Sequence, residues 1–143
     1  MNRTLLVSLG LALATPFSAC AGKLDRTETN AEADAYTAVK SAETFALGGI
    51  GVAGTISQQE IAFRQLLKEP EPLARCQRLL TEATPAGQIY ALLGLRLLDA
   101  KAFAAAVPHY LASQAAIPTI RGCIMMKMPA AKLATEIQKG DLK

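Results

Sequence analysis

The chain has 143 residues and a formal charge of +3, and its 51% apolar and 19% charged residues are the composition of a chain that buries a core, which excludes an intrinsically disordered segment. About 120 residues remain once an N-terminal leader is set aside, which is the size of one domain and too short for two independent cores. The small basic surplus falls far short of what many phosphate contacts need, so nucleic acid is not an expected partner, and the absence of Trp with only 5% aromatics leaves little from which to build stacking platforms.

Residues 1–21 read as a secretion signal. Met1-Asn2-Arg3 supplies a positive start, Leu5 to Ala14 form the apolar run, and Thr15-Pro16 breaks it before the small residues Ser18-Ala19-Cys20-Ala21. The run stops well short of the roughly 20 apolar residues that a membrane-spanning helix needs. Two cleavages compete at this point. Ala19-Cys20-Ala21 satisfies the small-x-small rule for ordinary cleavage after Ala21, whereas Phe17-Ser18-Ala19-Cys20 resembles the bacterial lipobox. That four-residue resemblance implies cleavage before Cys20 and a lipid anchor on its thiol.

Residues 22–30 are polar and aperiodic, as suits a flexible tether, and residues 31–143 are expected to form a single helical domain. Ala31 to Phe45 carries Ala35, Val39, Ala42 and Phe45 at helical spacing, with Asn30 placed as the cap. Leu47 to Ile56 has four glycines in seven positions and is expected to be a loop. It contains Gly49-Ile50-Gly51-Val52-Ala53-Gly54, a formal match to the dinucleotide-binding fingerprint. That fingerprint needs a preceding strand and a later acidic residue ending a second strand; a helix is expected before this one and Glu69-Pro70-Glu71 reads as a turn, so no nucleotide is expected.

Ser57-Gln58-Gln59-Glu60 is a capping box opening a helix with Phe63, Leu66 and Leu67 on one face. Pro70-Glu71-Pro72 ends it and starts the next, whose stripe of Leu73, Cys76, Leu79, Leu80 and Ala83 turns Cys76 to the core. Thr84-Pro85 restarts the chain as a helix from Ala86 to Leu98 that is apolar nearly all round, which marks it as the central one. After the corner Asp99-Ala100-Lys101 comes a fourth helix with Phe103, Val107, Tyr110 and Leu111, interrupted by Pro108. Pro118 to Met128 lacks helical spacing and is expected to be extended, as one short hairpin turning at Gly122. Pro129 begins a last helix with Leu133 and Ile137 buried and Gly140 stopping it.

The expected fold class is therefore mainly α: compact antiparallel helical hairpins with a short extended segment near 118–128. The short helices and tight corners between about 57 and 113 resemble the hairpins of HEAT-type or tetratricopeptide solenoids, although at most two units fit and no repeat consensus is present.

Few residues suggest chemistry. Cys76 and Cys123 remain as an even pair in an oxidising compartment and are expected to form one disulfide, closing a loop of about 48 residues for a gain of around 4 kcal/mol. The alternative is two buried thiols, and Arg75 and Arg78 flank Cys76 in a way that can activate a thiol. His109 is the only histidine and lacks a second ligand or base at useful spacing. Met125, Met126 and Met128 offer thioethers of the kind that bind copper, but adjacent residues of an extended segment face opposite ways, which favours packing. Glu60 with Arg64 and Glu32 with Tyr36 are helix pairs four apart, of the type that decorates solvated faces. No catalytic residue, metal site or cofactor is expected.

The leading expectation is an exported, membrane-tethered bacterial envelope protein that binds another envelope or secreted protein without catalysis, as an immunity or inhibitor protein or an accessory subunit. The rivals are a small periplasmic hydrolase using Tyr90, Tyr110, His109 and Glu60, and a copper or redox protein built on the methionines and cysteines.

Overall fold

The computed structural model describes residues 35–142; the leader, Cys20 and the tether lie outside the described residues. Helix α1 covers residues 35–40 and stops well before Phe45. The physical reason lies in a later helix: the Thr84 N–H donates to the Lys40 carbonyl at 2.9 Å and the Thr84 hydroxyl donates to the Ala42 carbonyl. Those carbonyls are thereby taken from the helix, and the chain emerges extended as strand β1 (Phe45–Ile50).

Helix α2 (Gln58–Leu66) follows, capped by the Ser57 hydroxyl, which accepts the Glu60 N–H at 3.1 Å. Helices α3 (Pro72–Glu82) and α4 (Pro85–Leu98) each begin with a proline, whose missing N–H costs nothing in the first turn. Asp99 caps α5 (Ala100–Leu111) by accepting the N–H groups of Lys101 and Ala102. Pro108 does not interrupt that helix. It stands near the C-terminal end, and the carbonyl of exposed Ala104 that it leaves unserved can turn to solvent.

Strands β2 (Ala116–Gly122) and β3 (Ile124–Pro129) form the hairpin expected at Gly122, and α6 (Ala130–Lys139) ends on Gly140 in the left-handed conformation. The sheet order is β1-β2-β3, with β1 parallel to β2 and β2 antiparallel to β3. Helices α2 to α5 supply the long crossover that a parallel pair requires.

These three strands overturn the mainly α expectation. Among the described residues the architecture is an α/β mix of six helices and a mixed three-stranded sheet, 57% helix and 19% strand. The segment 47–56, expected to be a loop, gives residues 47–50 to β1 and keeps a turn at 51–54, and the pairing of β1 shifts register between Ala46 and Ile50, where Gly48 adopts a φ of 78°. A bulge of this kind suits glycine. Gly49 is held still closer, since a Cβ there would stand 3.0 Å from the Gly54 backbone.

Helix α4 is the centre of the core. Ile89, Tyr90, Ala91 and Leu92 are fully buried, Leu66, Leu79, Ile117, Leu133 and Ile137 are buried with them, and the Tyr90 ring lies 4.7 Å from that of Phe45 and 5.3 Å from that of Phe63. The Tyr90 phenol also closes a gap in the sheet. It accepts the Ala46 N–H at 3.0 Å and donates to the Ala46 carbonyl at 2.6 Å, so both polar groups that this residue withholds from β2 are satisfied by one side chain. Two residues along, the buried Glu60 carboxylate accepts the Gly48 N–H at 2.8 Å. One side chain from α4 and one from α2 thus do for the outer edge of β1 what a fourth strand would do.

Removing the Tyr90 hydroxyl strands two buried backbone groups, each costing roughly 1–3 kcal/mol if it finds no other partner. Tyr90→Phe is therefore expected to lower the urea midpoint by an amount equivalent to at least about 1 kcal/mol with an unchanged slope; a variant as stable as the parent would show that Ala46 has other partners.

Candidate functional site

The outer edge of β3 is built the opposite way. Gly122 and Cys123 form a two-residue turn in which Gly122 has a φ of 56°, the position at which a type II′ hairpin wants glycine. Such a turn makes Arg121 and Ile124 a hydrogen-bonded pair, so Thr119 with Met126 and Ile117 with Met128 are the next ones. The Gly122 carbonyl agrees, since it accepts the Gly51 N–H at 2.9 Å on the β1 side. The backbone groups of Met125 and Lys127 therefore point away from β2, and among the described residues no hydrogen bond reaches them.

Side chains at this end of the sheet are apolar and exposed. Ile124 keeps 60% of its surface in solvent, Met125 70% and Met126 38%, while Val52, at the tip of the neighbouring 51–54 turn, is wholly exposed. The two turns are tied by the Gly51–Gly122 hydrogen bond, so these apolar groups occupy one end of the molecule. Arg121, exposed beside them, is held by Glu136 of α6, and Lys127 is exposed on β3. Met128 alone of the three methionines is buried. Alternation along β3 puts Met125 on the face opposite Met126 and Met128.

Residues singled out for chemistry are used structurally or stand apart. The Glu60 carboxylate, expected to complete a capping box, instead accepts two Arg64 N–H groups on Oε1 at 2.6 and 2.9 Å and the Gly48 N–H on Oε2. This pair is not a surface decoration, because the Glu60 side chain is fully buried. Tyr36 meets Glu82 and Arg78; Glu32, its expected helix partner, lies outside the described residues. His109 is exposed and lines a cleft of about 90 Å³ with Tyr110 and Gln88. There the Tyr110 hydroxyl donates to Gln88 at 3.4 Å, and burial pushes its pKa up to about 12. Glu60 and Tyr90 flank β1 and do not share that cleft.

A larger hollow of about 330 Å³ runs between Leu47, Phe63, Leu67 and Leu97 with Glu60 and Arg64 at its side. Another of about 240 Å³ lies between Phe45, Thr119, Arg121 and Asp141. Each holds an acid and an arginine among apolar or backbone-bonded residues. Among the described residues, no three His, Cys, Asp or Glu side chains gather as metal ligands do, and no helix is long and apolar enough to cross a membrane.

The expected Cys76–Cys123 disulfide is absent, and both thiols are free. Cys76 does face the core as its stripe requires, but it is buried against Gly94 of α4, where an added Cβ would stand 2.6 Å from its sulfur. Cys123 sits exposed in the hairpin turn. Parity and compartment suggested the bond; in this structure the two thiols have separate surroundings, one in the core and one at the surface. Burial pushes the Cys76 pKa up to about 11, and the neighbouring arginines do not activate it, Arg75 being paired with Glu69 and Arg78 lying over the Tyr36 ring.

The open edge was the site that sequence reasoning missed. Its signal was present in the unbroken run Ile124-Met125-Met126, which is too apolar for a strand with one solvated edge and face. No protein-family model, curated protein or solved structure shows significant similarity to this chain.

The thiolate is the reacting form, so a thiol reagent at pH 8 is expected to modify Cys123 in the native protein and Cys76 only after unfolding. Peptide mapping checks this. A denatured, unreduced chain in which neither site takes the reagent would restore the disulfide.

Proposed function

We propose that this is an exported, non-enzymatic protein-binding module of the bacterial envelope, held to the membrane by lipid on Cys20, and that its contact surface is the apolar end of the sheet. The observation that carries the reading is the coincidence of Val52, Ile124 and Met125 at one end of the molecule, each largely exposed. A scattered exposed apolar residue needs no explanation, but several gathered at one end of a molecule are a liability unless a partner covers them. The leader composition and the lipobox-like Phe17-Ser18-Ala19-Cys20 support the address.

The partner is another envelope or secreted protein, so the chain acts as an accessory subunit or in the manner of an immunity or inhibitor protein. A hydrolytic reading draws no comparable support: Glu60 is consumed by Arg64 and Gly48, Tyr90 by Ala46, and His109 lacks a carboxylate or a second base in its cleft. The methionines likewise separate, with Met125 and Met126 on opposite faces and Met128 in the core.

Two experiments test the two halves of the proposal. Metabolic labelling with a fatty-acid analogue is expected to mark the wild-type chain and not Cys20→Ser; an unlabelled chain beginning at Gly22 would replace the anchored protein with a soluble one. A photo-cross-linking residue at position 52, introduced in intact cells, is expected to give a discrete adduct with an envelope protein that Ile124→Asp abolishes. The same residue at exposed position 101 on α5 should give none. Absence of any adduct specific to position 52 would remove the binding surface from this account.

A further inference from the structure

The outer edge of β3 is self-complementary, and from this we infer that it is occupied by β3 of a second copy of this chain, antiparallel, about a two-fold axis at Met126. The proposal goes beyond the binding of an envelope partner at the Val52 end and uses a different set of groups, the backbone of the edge strand.

Three two-fold registers set Met125 opposite an outward-facing residue of β3. Centring the axis on Lys127 sets two like charges directly opposite and spends Met125 on Pro129, which has no N–H to offer. An axis at Met125 pairs Lys127 with Cys123, which belongs to the turn rather than to the strand. Centred on Met126, each Met125 faces the Lys127 of the other copy and exchanges both of its backbone hydrogen bonds with it. All the outward-facing donors and acceptors at Met125 and Lys127 are then satisfied, four bonds in total by symmetry. Met126 meets its own copy in the closer, non-hydrogen-bonded kind of pair, which suits two half-exposed thioether side chains.

The result is one continuous six-stranded sheet. Each outer edge would be a β1 already closed by Tyr90 and Glu60, so pairing stops at two copies. A strand with both edges open would propagate. Because the strands run antiparallel, the Val52 and Cys123 tips point to opposite ends of the pair and stay available for another partner.

The test uses the full-length chain carrying Cys20→Ser and Cys123→Ser, which leaves buried Cys76 as its only native thiol. Met126→Cys is expected to form an intermolecular disulfide on mild oxidation, mapped to the 126–126 peptide pair. Met125→Cys and Lys127→Cys should link poorly alone and well when mixed. Sedimentation of the otherwise unaltered chain should give a dimer. Met125→Glu sets a carboxylate opposite each Lys127 and is expected to tighten the dimer about 2- to 30-fold. Lys127→Pro removes an outward N–H that bonds nothing within the described chain, and should give a folded monomer by sedimentation and circular dichroism. A chain that stays monomeric and forms no 126–126 disulfide overturns the second copy as occupant. A dimer that Met125→Glu loosens, or that links best at 125–125 or 127–127, overturns the register. Neither outcome touches the adduct expected from position 52, so the two proposals fail separately.

Discussion

The outer edge of β1 is closed by side chains, and most of the molecule is arranged around that closure. A strand lying parallel to its single neighbour leaves every second residue with a donor and an acceptor pointing outward, and burying such groups unpaired is costly. Ala46 gives both of its groups to the Tyr90 phenol, and Gly48 gives its N–H to Glu60. Tyr90 can reach only because α4 runs through the middle of the core. Glu60 can be buried only because Arg64, one turn on, neutralises its other oxygen. Fixing α2 and α4 against β1 in this way places the crossover, and with it the position at which β2 re-enters the sheet.

The same constraint explains why the few groups with chemical potential are quiet. A carboxylate that accepts two arginine N–H groups on one oxygen and a backbone N–H on the other has little capacity left for acid or base work. Burial raises the pKa of the Tyr90 phenol, whose proton goes to the Ala46 carbonyl and whose oxygen accepts the Ala46 N–H. Cys76, between arginines in the sequence, is turned toward Gly94, where desolvation keeps it a thiol. In each case the neighbours in space, rather than those in the chain, set the chemistry.

The two edges of the sheet are consequently unequal. β1 has its polar groups taken up by the core, whereas β3 presents backbone donors, acceptors and apolar side chains to solvent. Proteins ordinarily blunt an exposed edge with charge, proline or a covering element. Here Lys127 is the single charge on β3 and Pro129 stands at its last position. That asymmetry is the physical content of the proposed interaction surface, and it limits association, because only one of the two edges has anything left to offer.

Local signals in the sequence determined the helices. Ser57, Thr84 and Asp99 carry the side chains that cap α2, α4 and α5, Pro72 and Pro85 start α3 and α4, the all-apolar run to Leu98 marks the central helix, and Gly122 marks the hairpin turn. These depend on a residue and its next few neighbours, so they can be read without a fold. The tertiary structure alone decided the sheet. β1 arises in a segment of weak strand propensity, Phe45-Ala46-Leu47-Gly48-Gly49-Ile50, and β2 carries Pro118, so neither advertises itself. Their pairing joins residues more than seventy positions apart, and the Thr84 cap that ends α1 acts across more than forty. The fates of Glu60, Cys76 and the edge of β3 follow from that pairing, because whether a side chain is spent, buried or offered to a partner depends on what the fold sets beside it.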